Sequence, residues 1–297
     1  WQGLAHSVPP LPPCTTMPND TNVAPSDPAL PPLPTAAYTR VDTHVWRASE
    51  LTRGPWDMGH QHAGPPVALV CRAVEAVARE HGLTHLARLT ANILRPVPIG
   101  DLIVEVMTDY VGRNAGHFSA HLMAHGKEVG RFTALAQREA EPALELPASL
   151  AGHPLPAAPR SPADSAPARF PFGHDHIGYA NLVETRSAAG EFWHGPCAVW
   201  FRMSHPLVAD EAPSPYQRVA VAADSGNGIS GVLDFRRWSF VNADLTINFL
   251  RRPVGEWICL EARTCLGPAG TGLAESALYD EQGLVGRATQ SLAVRSR

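Results

Sequence analysis

Three groups of side chains in this 297-residue chain have the chemistry to move protons or to place a water. Asp57 and His62 stand five residues apart, and a carboxylate and an imidazole are the residue types that carry acid–base work. His60 shares their loop. His174 and His176 form a second alternating pair, which would bind a metal only if further ligands joined them, and nothing around them supplies any. The third group shows through an internal repeat: Asn242, Asp244 and Gln290 stand where the earlier copy has Leu86, Arg88 and Ala134. Amides and carboxylates can orient a water by donating to it and accepting from it, whereas leucine and alanine cannot. Polar residues confined to one copy point to one reaction centre per chain, with the other copy supplying walls.

Other chemistries find no support. There is no Gly-x-Ser-x-Gly phrase for a serine nucleophile. No phosphate-binding loop or dinucleotide fingerprint appears, since Gly226-Asn227-Gly228 follows a helix and precedes a loop. The five cysteines, Cys14, Cys71, Cys197, Cys259 and Cys265, are widely spaced without a C-x-x-C pair, which suits reduced thiols rather than a zinc site. On composition alone, Asp224-Ser225-Gly226-Asn227-Gly228 reads as a helix terminator. Asp244, two residues from Asn242, would share its strand face and take Arg251 or Arg252 as partner.

The elements that must position these residues come from the repeat. Leu89-Thr90-Ala91-Asn92-Ile93-Leu94-Arg95-Pro96 is answered by Leu245-Thr246-Ile247-Asn248-Phe249-Leu250-Arg251-Arg252-Pro253, and Gly130-Arg131-Phe132-Thr133 by Gly286-Arg287-Ala288-Thr289. A repeat of this length means duplicated structure. In the first copy residues 38 to 48 read as a strand. Pro65 and Pro66 then open a largely apolar helix through residue 80, and strands follow at 86 to 96, 101 to 112, 117 to 124 and 128 to 137. The second copy predicts strands at 178 to 187 and 196 to 204 and a helix from Pro215 to about Ala223. Strands at 238 to 250, 256 to 267, 271 to 280 and 284 to 295 complete it. Each copy is thus a central helix wrapped by an antiparallel meander, an α+β design.

The chain has twenty-nine prolines, unevenly spread, with clusters at 8 to 35 and 147 to 171. The expected organisation is a Pro-rich, disordered segment over 1–37, in which Met17 is a candidate start, one repeat over 38–140, a Pro-rich linker over 141–173, and a second repeat over 174–297. A net charge of −4 without a basic stripe gives nucleic acid nothing to bind. No apolar run approaches the roughly 20 residues of a membrane span, and no signal peptide is evident, so a cytoplasmic protein is expected.

Several phrases together, Gly54-Pro55-Trp56-Asp57, Gly64-Pro65-Pro66, Asn242-Ala243-Asp244-Leu245-Thr246, Glu256-Trp257 and Gly286-Arg287-Ala288-Thr289-Gln290-Ser291-Leu292, resemble the thioesterase-like proteins of the double hotdog type, relatives of bacterial acyl-CoA thioesterase II. The resemblance covers residues 38 to 296. It implies two tandem hotdog repeats and hydrolysis of an acyl thioester by a water that an Asp, a Thr and a Gln hold at the end of an apolar slot. Carried over by position, Asp224 and Gln290 match, and Asn242 stands where the Thr would be. Gly64 and His62 are expected to bind substrate, with backbone amides at the N-terminus of the first helix polarising its carbonyl. No cofactor and no metal is implied. The expected partners are an acyl-CoA or similar thioester and further copies of the chain, as a homodimer or higher homo-oligomer. Two other readings stand beside this one: an acyl-thioester or lipid-binding protein whose site has drifted, and an enoyl thioester hydratase using Asp57 and His62, although the Gly-Asp-x-Asn-Pro phrase of hotdog hydratases is missing.

Overall fold

The computed structural model describes residues 31–140, 143, 145, 147, 155–170 and 175–297. Most of the expected N-terminal segment, and His174, lie outside the described residues. The first half runs β1 (Tyr38–Arg40), β2 (Val45–Ala48), α1 (Gly64–Glu80), β3 (His85–Ile93), β4 (Asp101–Val111), β5 (Ala115–Ala124) and β6 (Lys127–Gln137). The second half runs β7 (Ala166–Ala168), α2 (Tyr179–Leu182), β8 (Val183–Ala189), β9 (Cys197–Met203), α3 (Pro215–Ala223), α4 (Gly226–Ile229), β10 (Trp238–Asn242), β11 (Asp244–Phe249), β12 (Ile258–Gly267), β13 (Thr271–Asp280) and β14 (Gly283–Ser296).

Period-two burial makes the strands. Along β5, Gly116, Phe118, Ala120, Leu122 and Ala124 face the core and the residues between them face outward. On β14, Ala288, Gln290, Leu292 and Val294 take the buried positions, so Gln290 is an amide in a core slot and must find partners there.

The described strands pair in the order β1-β2-β4-β5-β6-β3-β11-β14-β13-β12-β9-β8-β7, with β10 also pairing β14. Read outward from the β3·β11 pair, the two halves list equivalent strands in the same order. Thr90 faces Thr246 across that pair, and the two hydroxyls lie 3.2 Å apart. Within each half the register also repeats, since Thr90 faces Thr133 and Thr246 faces Thr289. Joining the halves through β3 and β11 removes one exposed edge from each.

The central helices pack on one another. Pro65 and Pro66 sit where α1 has no intrahelical use for an amide, and Ser214 caps α3 by accepting from the Gln217 N–H at 3.2 Å. They run head to tail: Glu75 of α1 reaches Ser214 at the start of α3, and Gly64 at the start of α1 lies against the end of α3. A Cβ at position 64 would lie 2.3 Å from the Val221 carbonyl oxygen, so this approach admits only glycine.

Several expected boundaries move. The strand over 38 to 48 is split by a turn in which Asp42 Oδ1 accepts from the Thr43 N–H. The start of the strand expected at 178 is the helical turn α2. The strand over 238 to 250 breaks at Ala243, because Asp244 turns its carboxylate onto the Ser291 N–H and hydroxyl. Asp244 therefore takes neither arginine, and Arg251 pairs with Asp280 instead. The Gly-rich run after Asp224 does not end helical structure, as α4 follows within two residues. Part of the expected linker is packed: Ala166–Ala168 pairs with β8, and Trp200 Nε1 donates to Arg160 O at 2.8 Å.

Candidate active site

Asp224 is the C-cap of α3, where the negative end of its own helix disfavours a carboxylate. The N-terminus of α1 offsets this. The Gly64 N–H donates to Asp224 Oδ2 at 3.0 Å, and the positive end of α1 faces the same carboxylate. His62 Nδ1 also lies 3.0 Å from Oδ2. The Gly64 N–H also lies 3.2 Å from Nδ1, but an unprotonated Nδ1 would repel Oδ2, so the arrangement that suits the carboxylate has the proton on Nδ1, the Gly64 N–H turned to Oδ2 and Nε2 left as an acceptor. Burial pushes the His62 imidazole below its usual range, with the Asp224 charge opposing the shift, so the ring is neutral at pH 7.

The other oxygen is held from the sheet. Asn242, the last residue of β10, donates from Nδ2 to Asp224 Oδ1 at 2.7 Å. Gln290 Nε2 donates to the Asp224 carbonyl oxygen at 3.0 Å and reaches Oδ1 at 3.4 Å, while its Oε1 accepts from the Asn227 N–H at 3.0 Å. Asp224 is 4% exposed and Gln290 2%, so each of these contacts replaces water. A Cβ on Gly226 would lie 3.0 Å from Gln290 Oε1 and 2.8 Å from Ser276 Oγ, which explains a glycine beside the site.

The structure thus brings Asp224, Asn242, Gln290, His62 and Gly64 together. It does not bring Asp57 to His62. Asp57 Oδ1 lies 3.1 Å from His60 Nδ1 and accepts from the Gly59 N–H, leaving the hydratase arrangement unassembled. The Gly64 amide, expected to polarise a substrate carbonyl, is engaged by Asp224 instead, and Pro65 and Pro66 have no N–H to offer in its place.

Sequence reasoning missed Tyr179. Its ring stacks on His62 with centroids 3.8 Å apart and planes 3° from parallel. Its hydroxyl donates to the Val221 carbonyl oxygen at 2.8 Å and lies 3.0 Å from Ser225 Oγ. No spacing signal ties position 179 to 62, because the contact forms only when the halves meet.

A cavity of about 440 Å³ opens beside this cluster. Asp224, Asn242 and His62 line it, together with Trp56, Phe170 and Trp193; Gln290 stands behind Asp224 and is not in the lining. The helix pair leaves a second, smaller cavity of about 110 Å³ at its other end. Leu86 lines it where the second half has Asn242, yet the position is not without polar groups: Glu75 Oε2 accepts from Ser214 Oγ at 2.7 Å and Gln217 Nε2 at 3.1 Å. Burial raises the Glu75 carboxyl above its ordinary range, against the pull of these donors and of Arg79 and Arg252. Among the described residues no cluster of three metal-ligating side chains occurs, and no helix is long and apolar enough to cross a membrane.

Two family models match the sequence: an acyl-CoA thioesterase N-terminal domain over residues 52–138 and an acyl-CoA thioesterase C-terminal domain over residues 158–294. No curated protein matches. Among solved structures, a protein of unknown function with a hot dog fold from Alicyclobacillus acidocaldarius is similar with a TM-score of 0.65 and 16% identity, covering 89% of this chain and 97% of its own. A tesB protein from Mycobacterium avium subsp. paratuberculosis follows at 0.62 and 17%, covering 88% and 96%. The acyl-CoA thioesterase II TesB2 of Mycobacterium marinum follows at 0.59 and 16%, with the same coverage.

Proposed function

Because the chain belongs to the acyl-CoA thioesterase family, we propose that it hydrolyses acyl-CoA thioesters at Asp224, using a water and no covalent enzyme intermediate. The observation that carries this reading is a carboxylate fixed on both oxygens at the wall of an acyl-sized cavity. A water entering beside Asp224 and Asn242 gives its proton to the carboxylate as its oxygen bonds to the thioester carbon. The tetrahedral intermediate then collapses, the C–S bond breaks, and the departing thiolate takes the proton back. The products are a free carboxylic acid and coenzyme A thiol.

In this reading Asn242 serves in place of a Thr, using one N–H for the carboxylate and the other for the water. Gln290 is a positioning residue, with its amide occupied by the Asp224 main chain and side chain and by Asn227. His62 locks the carboxylate and presents Nε2 toward substrate groups. The finer architecture belongs to the same proposal: two hotdog repeats over 38–140 and 174–297, joined by a Pro-rich linker and assembling as a homo-oligomer.

Thiol release from a panel of acyl-CoAs tests the reading. Asp224→Asn keeps the shape and removes the base, and it is expected to cost roughly 10²- to 10⁴-fold in kcat. Release undiminished in that variant would refute the proposal. Tight acyl-CoA binding without release by the wild type would point to a binder.

A further inference from the structure

Trp193 is the most conspicuous group in the cavity wall that the reaction does not use. It lines the cavity, and its ring packs against Phe235 and Phe240 with centroids 5.5 Å away in each case. Behind the ring lies Gly231, where a Cβ would come within 3.2 Å of Trp193 Cε3. The backbone that delivers the indole is strained. Trp193 has φ of 66°, a left-handed conformation that bulky side chains avoid, between Gly190 at 70° and Gly195 at 94°. The turn is tied to the segment after Asp224 by two bonds, Trp193 N–H to Ile229 O and Gly195 N–H to Gly231 O, both 3.2 Å. On its other side, Phe192 stacks on Phe170 at 5.5 Å. A bulky residue held at a left-handed φ has its side-chain direction fixed by the turn around it, and here the indole is directed into the cavity wall.

We propose that Trp193 is the stop that sets acyl-chain length, a specificity-determining residue for the thioester hydrolysis argued above, on which this inference rests. Phe240, against which the indole packs, stands two residues before Asn242 on β10 and faces the same side, so the ring lies roughly 7 Å along the strand from the amide that holds Asp224. A C–C bond of about 1.5 Å at a tetrahedral angle advances about 1.2 Å along an extended chain, so about six bonds span that distance. Acyl groups to about seven carbons are accommodated, and longer ones meet the indole.

The test is the kcat/KM profile over straight-chain acyl-CoAs from C4 to C16. The wild type is expected to peak at or below C8 and to fall at least tenfold by C12. Trp193→Ala, and Trp193→Leu as a variant that keeps an apolar filler, are expected to raise C12 and C16 at least tenfold relative to C6, while Trp193→Phe keeps the wild-type profile. A wild type that prefers C16 overturns the proposal even if the small variants fail to fold, and so does an unchanged profile in folded Trp193→Leu. Asp224→Asn measured alongside separates the two ideas: activity that survives it at every length defeats the hydrolysis reading, whereas Asp224-dependent release with a flat length profile defeats only the role of Trp193.

Discussion

A carboxylate has about four good acceptor positions, and Asp224 fills them with the Gly64 N–H, His62 Nδ1, Asn242 Nδ2 and, at longer range, Gln290 Nε2. Under the proposed function a water must therefore share one of these contacts from the cavity side, where His62 and Asn242 stand. His62 makes the arrangement sensitive to acid. Its pKa is lowered by burial, so the folded protein favours the neutral ring and the unfolded chain takes up the proton first. This contribution is fully present above the unfolded value near 6.5 and is lost as pH falls below it toward the folded value. The wild type is expected to lose Tm between pH 7.5 and 5 more steeply than His62→Gln, by about 2–4 °C for each kcal/mol of difference in a protein of this size. Parallel Tm curves for the two would remove the histidine from the acid response.

At the scale of elements, the approach of α1 to α3 decides the geometry of the site. Gly64→Ala puts a methyl against the Val221 carbonyl, and overpacking of this kind costs about 1–3 kcal/mol. The same shift draws the Gly64 amide from Asp224, and a lost charge-assisted bond of about 1.5–3 kcal/mol corresponds to a roughly ten- to hundredfold fall in kcat/KM. Thermal melts and kinetics on the one variant check both expectations. Much of this was legible in the sequence. The proline pair located the start of α1, the repeat pointed to most of the strands, and the family resemblance, carried over by position, drew attention to Asp224, Asn242 and Gln290. What stayed hidden depends on contacts made across the chain. Asp244 reads as an alternating strand residue, but a hydrogen bond to Ser291 kinks its strand. Tyr179 lies in a short helical turn whose value appears only against His62. Glu75 escaped notice because comparison of matching strand positions says nothing about a carboxylate rising from the helix.

At the scale of the molecule, the site is assembled from both halves. Gly64 and His62 come from the first, and Asp224, Asn242 and Gln290 from the second. Co-expressed as two chains cut within 141–154, the halves are expected to associate through β3 and β11 and to recover acyl-CoA hydrolysis, while the second half alone falls to below about 1% of it, the loss of a preorganised base. Full activity in the isolated second half would show that the first contributes only surface.

The hydrogen bond from Gly64 to Asp224 has a further consequence for inheritance. A chimera that takes one repeat from this protein and the other from a relative receives the Asp224 carboxylate from one parent and part of its grip from the other. Unless both parents tilt their helices alike, such a hybrid folds with that carboxylate turned slightly astray, and under the proposed function its chemistry passes on only as a matched set.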